Sequence, residues 1–504
     1  MRKVMPNQLS IGETDISQIE FDLRCRDEIP KILKGLQYIY CTTEIRKPVF
    51  KALQKLVPKD ISAEKGRSGL DLWKIFVLGT LRLCCSWDFD KLHDCANNHR
   101  TLRQMLLHGL IDDGKRYPLQ TIKDNVALFT PEILDEINQI VVRAGHQVVG
   151  KKLTENIQGK CDSFVVQTNV HYPTDINLLL DAMRKVIRLT AQLCDVAGLS
   201  DWRQSEYNYR KIKQLYRKAQ RLKHSTSKDK EKQAKRERLI AEAHQTYIDA
   251  SLSSIEKAES TLEKFDSEDL KQAPKIQEVE RYIKHARRQI DQIQRRVIQD
   301  ETIPHEEKVL SLFQEHTEWI SKGKAGVPQE LGLRVCVVND NYGFILHHQV
   351  MEKLTDDKVT VSIVEATQAR FPELNGCSFD KGFYTPDNKK KLTKLLEKVV
   401  LPKKGKLSAA DKEHEHSEYF IRTRQKHSAI ESAINALEHS GLSRCPDHGI
   451  DGFKRYVALA VVARNLQTLG HLLQEKQRKR QVRLEKYRAT WQQNQANPAV
   501  AAQR

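Results

Sequence analysis

Three acidic residues, far apart in the chain, stand in settings that suit metal-dependent chemistry. Asp162 lies in a short β-type run, Asp380 lies within the stretch 379–383, and Glu431 lies on a predicted helix. Mg²⁺ takes hard oxygen ligands and needs only one or two carboxylates per ion. Two such ions can clamp both the attacking and the leaving oxygen of a phosphodiester. The three acids therefore predict a divalent-metal site that cleaves and transfers phosphodiesters.

The charge of the chain favours a polyanionic partner. The 504 residues carry a formal net charge of +18, an excess typical of proteins that bind nucleic acid. No apolar run reaches the roughly 18 residues that a membrane-spanning helix needs, and the longest one near the C-terminus, 456–463, is too short. We therefore expect a soluble intracellular protein whose polyanionic partner is nucleic acid and not a membrane.

Residues 1–150 are predicted to form a helical domain. One apolar helix begins near Asp71 and ends at Cys85, and another covers about 89–97. Short helices with a basic surface suit the recognition of DNA ends. A plain helical packing domain fits the same pattern, because no recognition helix is legible in the sequence.

The segments 151–175 and 326–473 are predicted to form a mixed α/β core. The sequence alternates as a strand over 161–167 and as a hairpin over 335–346. Further predicted elements are a strand at 359–364, a short helix at 366–371, a strand at 398–401, and helices at 411–439 and 453–473. In this arrangement the acids gather at one edge of a sheet.

A helical, strongly basic insertion is predicted over 176–325. Between Arg203 and Ile240 there are fourteen Lys and Arg but only four Asp and Glu. From Ile276 to Val297 apolar residues recur at alternating steps of three and four, which is a coiled-coil seam. This pattern predicts two long helices packed as a hairpin. The last segment, 474–504, is predicted to be a basic and partly disordered tail.

Each acid also has a structural interpretation. Asp162 fits a strand-end cap and Asp380 fits an ordinary Asx-turn. For Asp380 as a metal ligand, Gly382 is expected to take a left-handed turn that leaves the acid exposed. Glu431 fits an ordinary surface position, which leaves three other glutamates as candidates for the third acid: Glu413, Glu418 and Glu438. Two further aspartates compete for a catalytic role. Asp175 is expected to cap a helix, and Asp340 is expected to lie in a hairpin turn.

Basic residues near the proposed ligands are candidates for phosphate contacts. One group is the loop after the strand 398–401, and the other lies on the helix before Glu431: Lys403, Lys404, Lys406, Arg422, Arg424 and His427. Residues 424, 427 and 431 share one helix face at steps of three and four. That spacing brings positive charge beside the acid, where a scissile phosphate would lie.

Several stretches resemble the ISNCY-type insertion-sequence transposases: 322–350, 378–383, 400–406 and 427–439. The resemblance covers about 70–472. It implies a DDE transposase with an RNase H-like catalytic core, and an N-terminal helical region that binds terminal inverted repeats. The triad implied is Asp162, Asp380 and Glu431. Glu438 departs from the family, since many relatives have a Lys at that position.

The reaction expected from this resemblance is cleavage at the ends of an insertion sequence, followed by joining of the freed 3′-OH to target DNA. The implied cofactor is Mg²⁺ or Mn²⁺. The implied partners are double-stranded DNA and a second copy of the chain, because two ends must be joined. A metal-dependent nuclease without strand transfer and a catalytically inactive, domesticated DNA-binding protein remain as alternatives.

Overall fold

A computed structural model describes residues 3–5, 12–22, 24–57, 69–109, 111, 114–266, 269–321 and 329–496. Two parts of the sequence interpretation lie outside these residues: the first seven residues of the stretch 322–350, and the tail end 497–504. The chain divides into two compact units. One comprises 1–169 with 320–504, and the other comprises 170–319. Residues 1–150 thus share a unit with the segments predicted to form the α/β core.

The helices and strands of the described residues are numbered in chain order. The helices are α1 (Glu28–Cys41), α2 (Thr43–Gln54), α3 (Leu72–Cys84), α4 (Phe89–Asn98), α5 (Arg100–Met105), α6 (Leu119–Val126), α7 (Pro131–Val149), α8 (Asp175–Val196), α9 (Ser205–Arg221), α10 (Lys230–Leu262), α11 (Ala273–Ile293), α12 (Asp356–Arg370), α13 (Pro386–Leu395), α14 (Ala409–Glu415), α15 (Glu418–His427), α16 (Ala429–Leu437) and α17 (Gly449–Ala496). The strands are β1 (Ile157–Thr168), β2 (Glu318–Ser321), β3 (Gln329–Asn339), β4 (Ile345–Met351), β5 (Leu374–Phe379), β6 (Lys398–Val400) and β7 (Arg444–Cys445).

The described strands form one mixed sheet with β1 near its centre. The order is β2-β3-β1-β5-β6, with β4 also paired to β3 and β7 to β1. Strand β3 is antiparallel to both of its neighbours, β1 and β4. Strand β5 is parallel to β1, and β6 is parallel to β5. The parallel pairing matters for the site, because the next residues after β5 emerge beside the middle of β1.

The first half of α17 is the central helix of the larger unit. Its residues from Phe453 to Leu469 include a long run of fully buried apolar side chains, and it packs against α1, α3 and α7. Its crossing with α1 is close, because a Cβ at Gly35 or Gly470 would collide with the backbone of the opposite helix. Glycine at both positions therefore lets the two helices approach at backbone distance.

Buried polar groups fix this helical layer to the β3–β4 hairpin. Asn465 donates to Asn138 Oδ1 at 2.7 Å and to the Ile345 carbonyl at 2.8 Å, and its Oδ1 accepts from the Ile345 N–H at 2.9 Å. In the turn, Asp340 Oδ2 lies 2.6 Å from His146 Nε2. Buried amides with satisfied partners specify one packing arrangement, so these contacts hold the sheet against the helices.

The smaller unit is a bundle of α8, α9, α10 and α11. The predicted seam is buried on α11, where Val279, Ala286 and Ile293 are fully enclosed. This face packs most extensively against α8, while α10 lies against α9, α8 and α11. The two long helices predicted as a hairpin are therefore parts of a four-helix arrangement.

The strand predicted at 359–364 is wrong, because these residues belong to the helix α12. The short helix predicted at 366–371 is confirmed as the last part of α12, which ends at Arg370. The β-branched run favours a strand by propensity, but Val359 and Ile363 lie four residues apart on the buried face. Asp356 and Asp357 also stand in the first turn, where acidic side chains stabilise the positive end of a helix.

The helix predicted over 411–439 is divided into α14, α15 and α16, and the helix predicted to end at 473 continues to Ala496. The segment 474–496 is therefore helical and not part of a disordered tail. No helix among the described residues combines the length and apolar character that crossing a membrane requires.

Candidate active site

The pairing of β1 with β5 brings Asp162 and Asp380 to the same place. Lys160 is paired with Ser378, and Cys161 is paired with Phe379. Asp162 lies two residues after Lys160 on β1, and Asp380 lies two residues after Ser378, just beyond β5. Because side chains alternate along a strand, two acids separated by 218 residues in sequence emerge on one side of the sheet.

The electrostatics of Asp162 place the three predicted acids in one environment, where the charges of Asp380 and Glu431 act on Asp162. Burial raises the pKa of Asp162 to about 6, and repulsion from Asp380, Asp356 and Glu431 adds to the effect. A hydrogen bond of 2.7 Å from the Ser163 N–H opposes it. Asp162 has no ion-pair partner in the described part of the chain, so its negative charge is uncompensated.

Glu431 reaches this group from α16, which packs against β1. Its side chain is exposed, as is that of Asp380, whereas Asp162 is half-buried. The other glutamates considered for the third position, Glu413 and Glu418 on α14 and α15, and Glu438 after α16, are not among the charges that raise the pKa of Asp162. Glu431 is thus the glutamate that shares an electrostatic environment with both aspartates.

A fourth acid, Asp356, was missed by the sequence interpretation. It is the first residue of α12, and Ser163 Oγ donates a hydrogen bond of 2.6 Å to its Oδ1. Gly382 lies against it, because a Cβ at Gly382 would stand 3.1 Å from Asp356 Oδ2. The expected left-handed turn at Gly382 is wrong, since this glycine is instead required by close approach. The wrong strand assignment over 359–364 hid the helix start that would have indicated Asp356.

His427 shares the electrostatic environment of Asp380 and Glu431. Its Nδ1 lies 2.9 Å from Ser378 Oγ, while its Nε2 is buried without a hydrogen-bond partner among the described residues. Burial lowers the pKa of His427, against the attraction of Asp380 and Glu431. The imidazole is therefore neutral at pH 7 and has one ring nitrogen available to a bound group.

Lys160 is a second residue that the sequence interpretation missed. It is buried in β1, and its Nζ donates to Asn341 Oδ1 at 2.9 Å and to the Asp340 carbonyl at 3.3 Å. Burial lowers the pKa of Lys160, and the charges of Asp340 and Lys426 act on it in opposite directions.

The residues predicted to contact phosphate differ in availability. Lys403 is engaged, because its Nζ lies 2.5 Å from Asp411 Oδ2 and its N–H donates to Glu415. Its partner Asp411 has a lowered pKa, caused first by the hydrogen bond from Lys403. Four others are exposed and make no ion pair with any described residue: Lys404, Lys406, Arg422 and Arg424. They present uncompensated positive charge in the segment between Asp380 and Glu431.

The two competing aspartates have structural roles. Asp340 is buried in the β3–β4 turn, where its Oδ1 accepts from the N–H groups of Tyr342 and Phe344. Asp175 is the first residue of α8, and its carboxylate pairs with Arg296 at 2.6 Å. The cap of that helix is Thr174, the other capping candidate in the sequence, and not Asp175.

Among the described residues, the acid cluster has the chemistry that a divalent cation needs, but not the tight grouping. As the side chains stand, no three His, Cys, Asp or Glu residues among those described are grouped tightly enough to hold a metal ion. The chemistry of the donors nonetheless suits one. Carboxylates that repel one another and a half-buried acid without a cationic partner are what a hard dication neutralises.

No protein-family model, no curated protein and no solved structure matches this chain. A function for this chain is therefore inferred from the residues of the site and their surroundings, since a fold alone does not specify an activity.

Proposed function

We propose that the chain is a DDE transposase that cleaves DNA at the ends of an insertion sequence and joins the 3′-OH to target DNA. The single observation that supports this proposal is the shared electrostatic environment of Asp162, Asp380 and Glu431, which come from β1, the end of β5 and α16. Burial raises the pKa of Asp162, and the charges of Asp380 and Glu431 add to the effect. Uncompensated acids in a chain of net charge +18 suit a metal site that faces a polyanion.

The order of the strands supports an RNase H-like core. An RNase H-like core contains a mixed sheet whose first three strands are antiparallel, followed by two parallel strands on the other side of the first. Here β1, β3 and β4 correspond to the antiparallel strands, and β5 and β6 to the parallel pair. The smaller unit, 170–319, lies in sequence between the first and second of these strands, where the sequence pattern predicts a helical insertion over 176–325.

Asp162, Asp380 and Glu431 would hold Mg²⁺ or Mn²⁺, and Asp356 would lie beside them. Such ions supply an activated water nucleophile and stabilise the charge that develops on the attacking and leaving oxygens. The protein itself must keep these carboxylates ionised and close together. With a pKa of about 6, Asp162 is mostly ionised at neutral pH and gains further from a bound dication.

The basic side chains have the task of positioning the DNA. Lys404, Lys406, Arg422 and Arg424 carry free positive charge for backbone phosphates. His427 is neutral and has an unpartnered Nε2, so it suits a hydrogen bond to a phosphate oxygen or to the nucleophile. Charges of this kind fix the register of the duplex without reading its sequence.

The proposed partners are double-stranded DNA and a second copy of the chain. Recognition of the terminal inverted repeats falls to the helices within 1–150, and joining two ends to one target requires at least a dimer on DNA. The proposed location is the bacterial cytoplasm, at the nucleoid. A metal-dependent nuclease without strand transfer and an inactive DNA-binding protein are the alternative candidates.

A paired-end strand-transfer assay tests the proposal. The substrate is a labelled duplex that carries the terminal repeat found next to the gene, incubated with Mg²⁺ or Mn²⁺ and a supercoiled target plasmid. Wild type is expected to give joined products, while Glu431→Gln gives none and Glu413→Gln, an exposed glutamate on α14, behaves as wild type. Cleavage without joining would leave a nuclease. Binding without cleavage under both metals would refute the enzymatic proposal.

A further inference from the structure

The end of α17 is a basic helix whose side chains are exposed in the described chain. Every residue from Lys476 to Gln492 is exposed, and the stretch contains seven Lys and Arg but only one acid, Glu485. None of the seven cations forms an ion pair with a described residue. A helix normally gains most of its stability from packing, so a long exposed helix with unpaired like charges indicates an absent partner.

The distribution of charge around this helix indicates the chemistry of that partner. At 3.6 residues per turn, the adjacent residues Arg478, Lys479 and Arg480 point in three different directions. A membrane-surface helix separates a charged face from an apolar face, and this helix does not. Its short apolar stripe, Leu484 with Tyr487 and Trp491, continues into Arg480 one turn earlier, so the stripe is interrupted by a cation.

Positive charge continues from this helix onto α1. A groove of about 830 Å³ between the two helices is lined by cations from both: Lys34 of α1 and Lys476, Lys479, Arg480 and Arg483 of α17. No acidic residue lines it. Lys34 is half-buried, and burial lowers its pKa. The groove therefore concentrates positive charge that no group of the described chain neutralises.

We propose that the exposed end of α17, together with this groove, binds the phosphate backbone of duplex DNA. The major groove of B-DNA is about 12 Å wide and admits one α-helix. The DNA phosphates on both sides of the groove would then meet the cations that surround the helix. A second copy of the same helix is disfavoured by like charge. The choice of DNA among duplex polyanions rests on the proposed function, but the binding itself does not require the acid cluster.

Binding measured without divalent metal separates this surface from the catalytic proposal. The probe is a labelled duplex of about 30 base pairs and arbitrary sequence, titrated in EDTA between about 50 and 200 mM KCl. The full chain is compared with Lys479→Gln/Arg483→Gln. The matched control is Lys390→Gln/Lys394→Gln, which removes two exposed cations, again four residues apart, from α13.

Loss of two phosphate contacts is expected to make the negative slope of log K against log [KCl] less steep by about 1.8, since each contact contributes about 0.9. At about 0.1 M KCl the affinity should fall by roughly tenfold or more. The control should keep the wild-type slope. Arg488→Gln, which changes one fully exposed side chain, gives an independent version of the test with an expected slope change of about 0.9.

Three results would overturn the proposal. One is an unchanged salt slope in both α17 variants, and another is an equal loss in the α13 control, which would mean that only net charge matters. The third is tight binding to anionic phosphatidylserine vesicles that depends on Lys479 and Arg483 while duplex binding does not. Failure of the catalytic proposal looks different, because wild type would then bind the duplex with the full slope but not cleave it in Mg²⁺.

Discussion

Replacing Asp162 with Asn should stabilise the protein at alkaline pH and leave it unchanged at acidic pH. The folded-state pKa of Asp162 is raised from 3.8 to about 6, first by burial and then by the neighbouring acids. The fold therefore favours the protonated carboxyl, and asparagine imitates that neutral form. The stabilising effect of protonation is fully present below about pH 4 and is lost as the pH rises through about 6.

The magnitude follows from the shift in pKa. A change of one unit corresponds to about 1.36 kcal/mol, so a shift of roughly two units gives a ceiling of about 3 kcal/mol. Asp162 is half-buried, and partial solvent screening reduces this to about 2 kcal/mol. Wild type and Asp162→Asn should thus be equally stable near pH 4, whereas the variant should be more stable by about 2 kcal/mol near pH 8.

Urea denaturation in EDTA at a series of pH values measures this difference, since the midpoint shifts with the free energy of unfolding. Asp124→Asn is the matched control, because Asp124 is exposed and its replacement retains the oxygen that accepts from Gln120. Its stability should follow wild type at every pH. Parallel curves for Asp162→Asn and wild type from pH 4 to 8 would refute the claim that the acids repel one another at this site.

Three further outcomes are expected. Saturating Mn²⁺ should stabilise wild type by about 2.7 kcal/mol at a concentration of 100 Kd, and Asp380→Asn should lose most of that gain in thermal unfolding; equal gains would exclude Asp380 as a ligand. Asp340→Ala should cost about 3–5 kcal/mol in urea denaturation, because His146 and two backbone N–H groups lose their buried partner; a cost under about 1 kcal/mol would contradict the structural role. Asn465→Ala should cost about 2–3 kcal/mol in the same assay, against little for Thr468→Ala, whose hydroxyl bonds only within α17; equal costs would contradict the linking role of Asn465.

The local setting of Asp162 was predictable from the sequence. The alternation around Asp162 indicated a strand, and β1 occupies 157–168. The strand before Asp380, β5, was not predicted. What the sequence could not supply was the pairing of these strands, because register depends on contacts across more than two hundred residues. The structure supplies it through the pairing of Cys161 with Phe379.

Propensity failed where burial decided the conformation. The run Val359–Val364 is β-branched, yet its side chains are buried at helical spacing in α12. That error concealed Asp356 at the start of the helix. Lys160 escaped notice for a different reason, since a lysine in a strand is usually taken as solvent-facing. Its burial follows from partners in the β3–β4 turn, which no local pattern reveals.

The last core helix was predicted to end at 473, but α17 continues to Ala496. Lys, Arg, Gln, Glu and Leu are strong helix formers, and α17 begins in the buried core, so the helix extends outward from a nucleus that is already formed. The charges that marked this segment as a basic tail make the helix a candidate nucleic-acid surface.

The most direct test of the central claim is nicking of a labelled duplex that carries the element's own end, with wild type and Asp380→Asn compared in Mg²⁺ and Mn²⁺. We predict a metal-dependent nick at the end that releases a 3′-OH with wild type, and at least a hundredfold loss with the variant, roughly the loss expected when a transition-state charge is no longer stabilised. Equal nicking by both proteins, or none by wild type while it binds the duplex, would contradict the assignment of these acids to DNA cleavage.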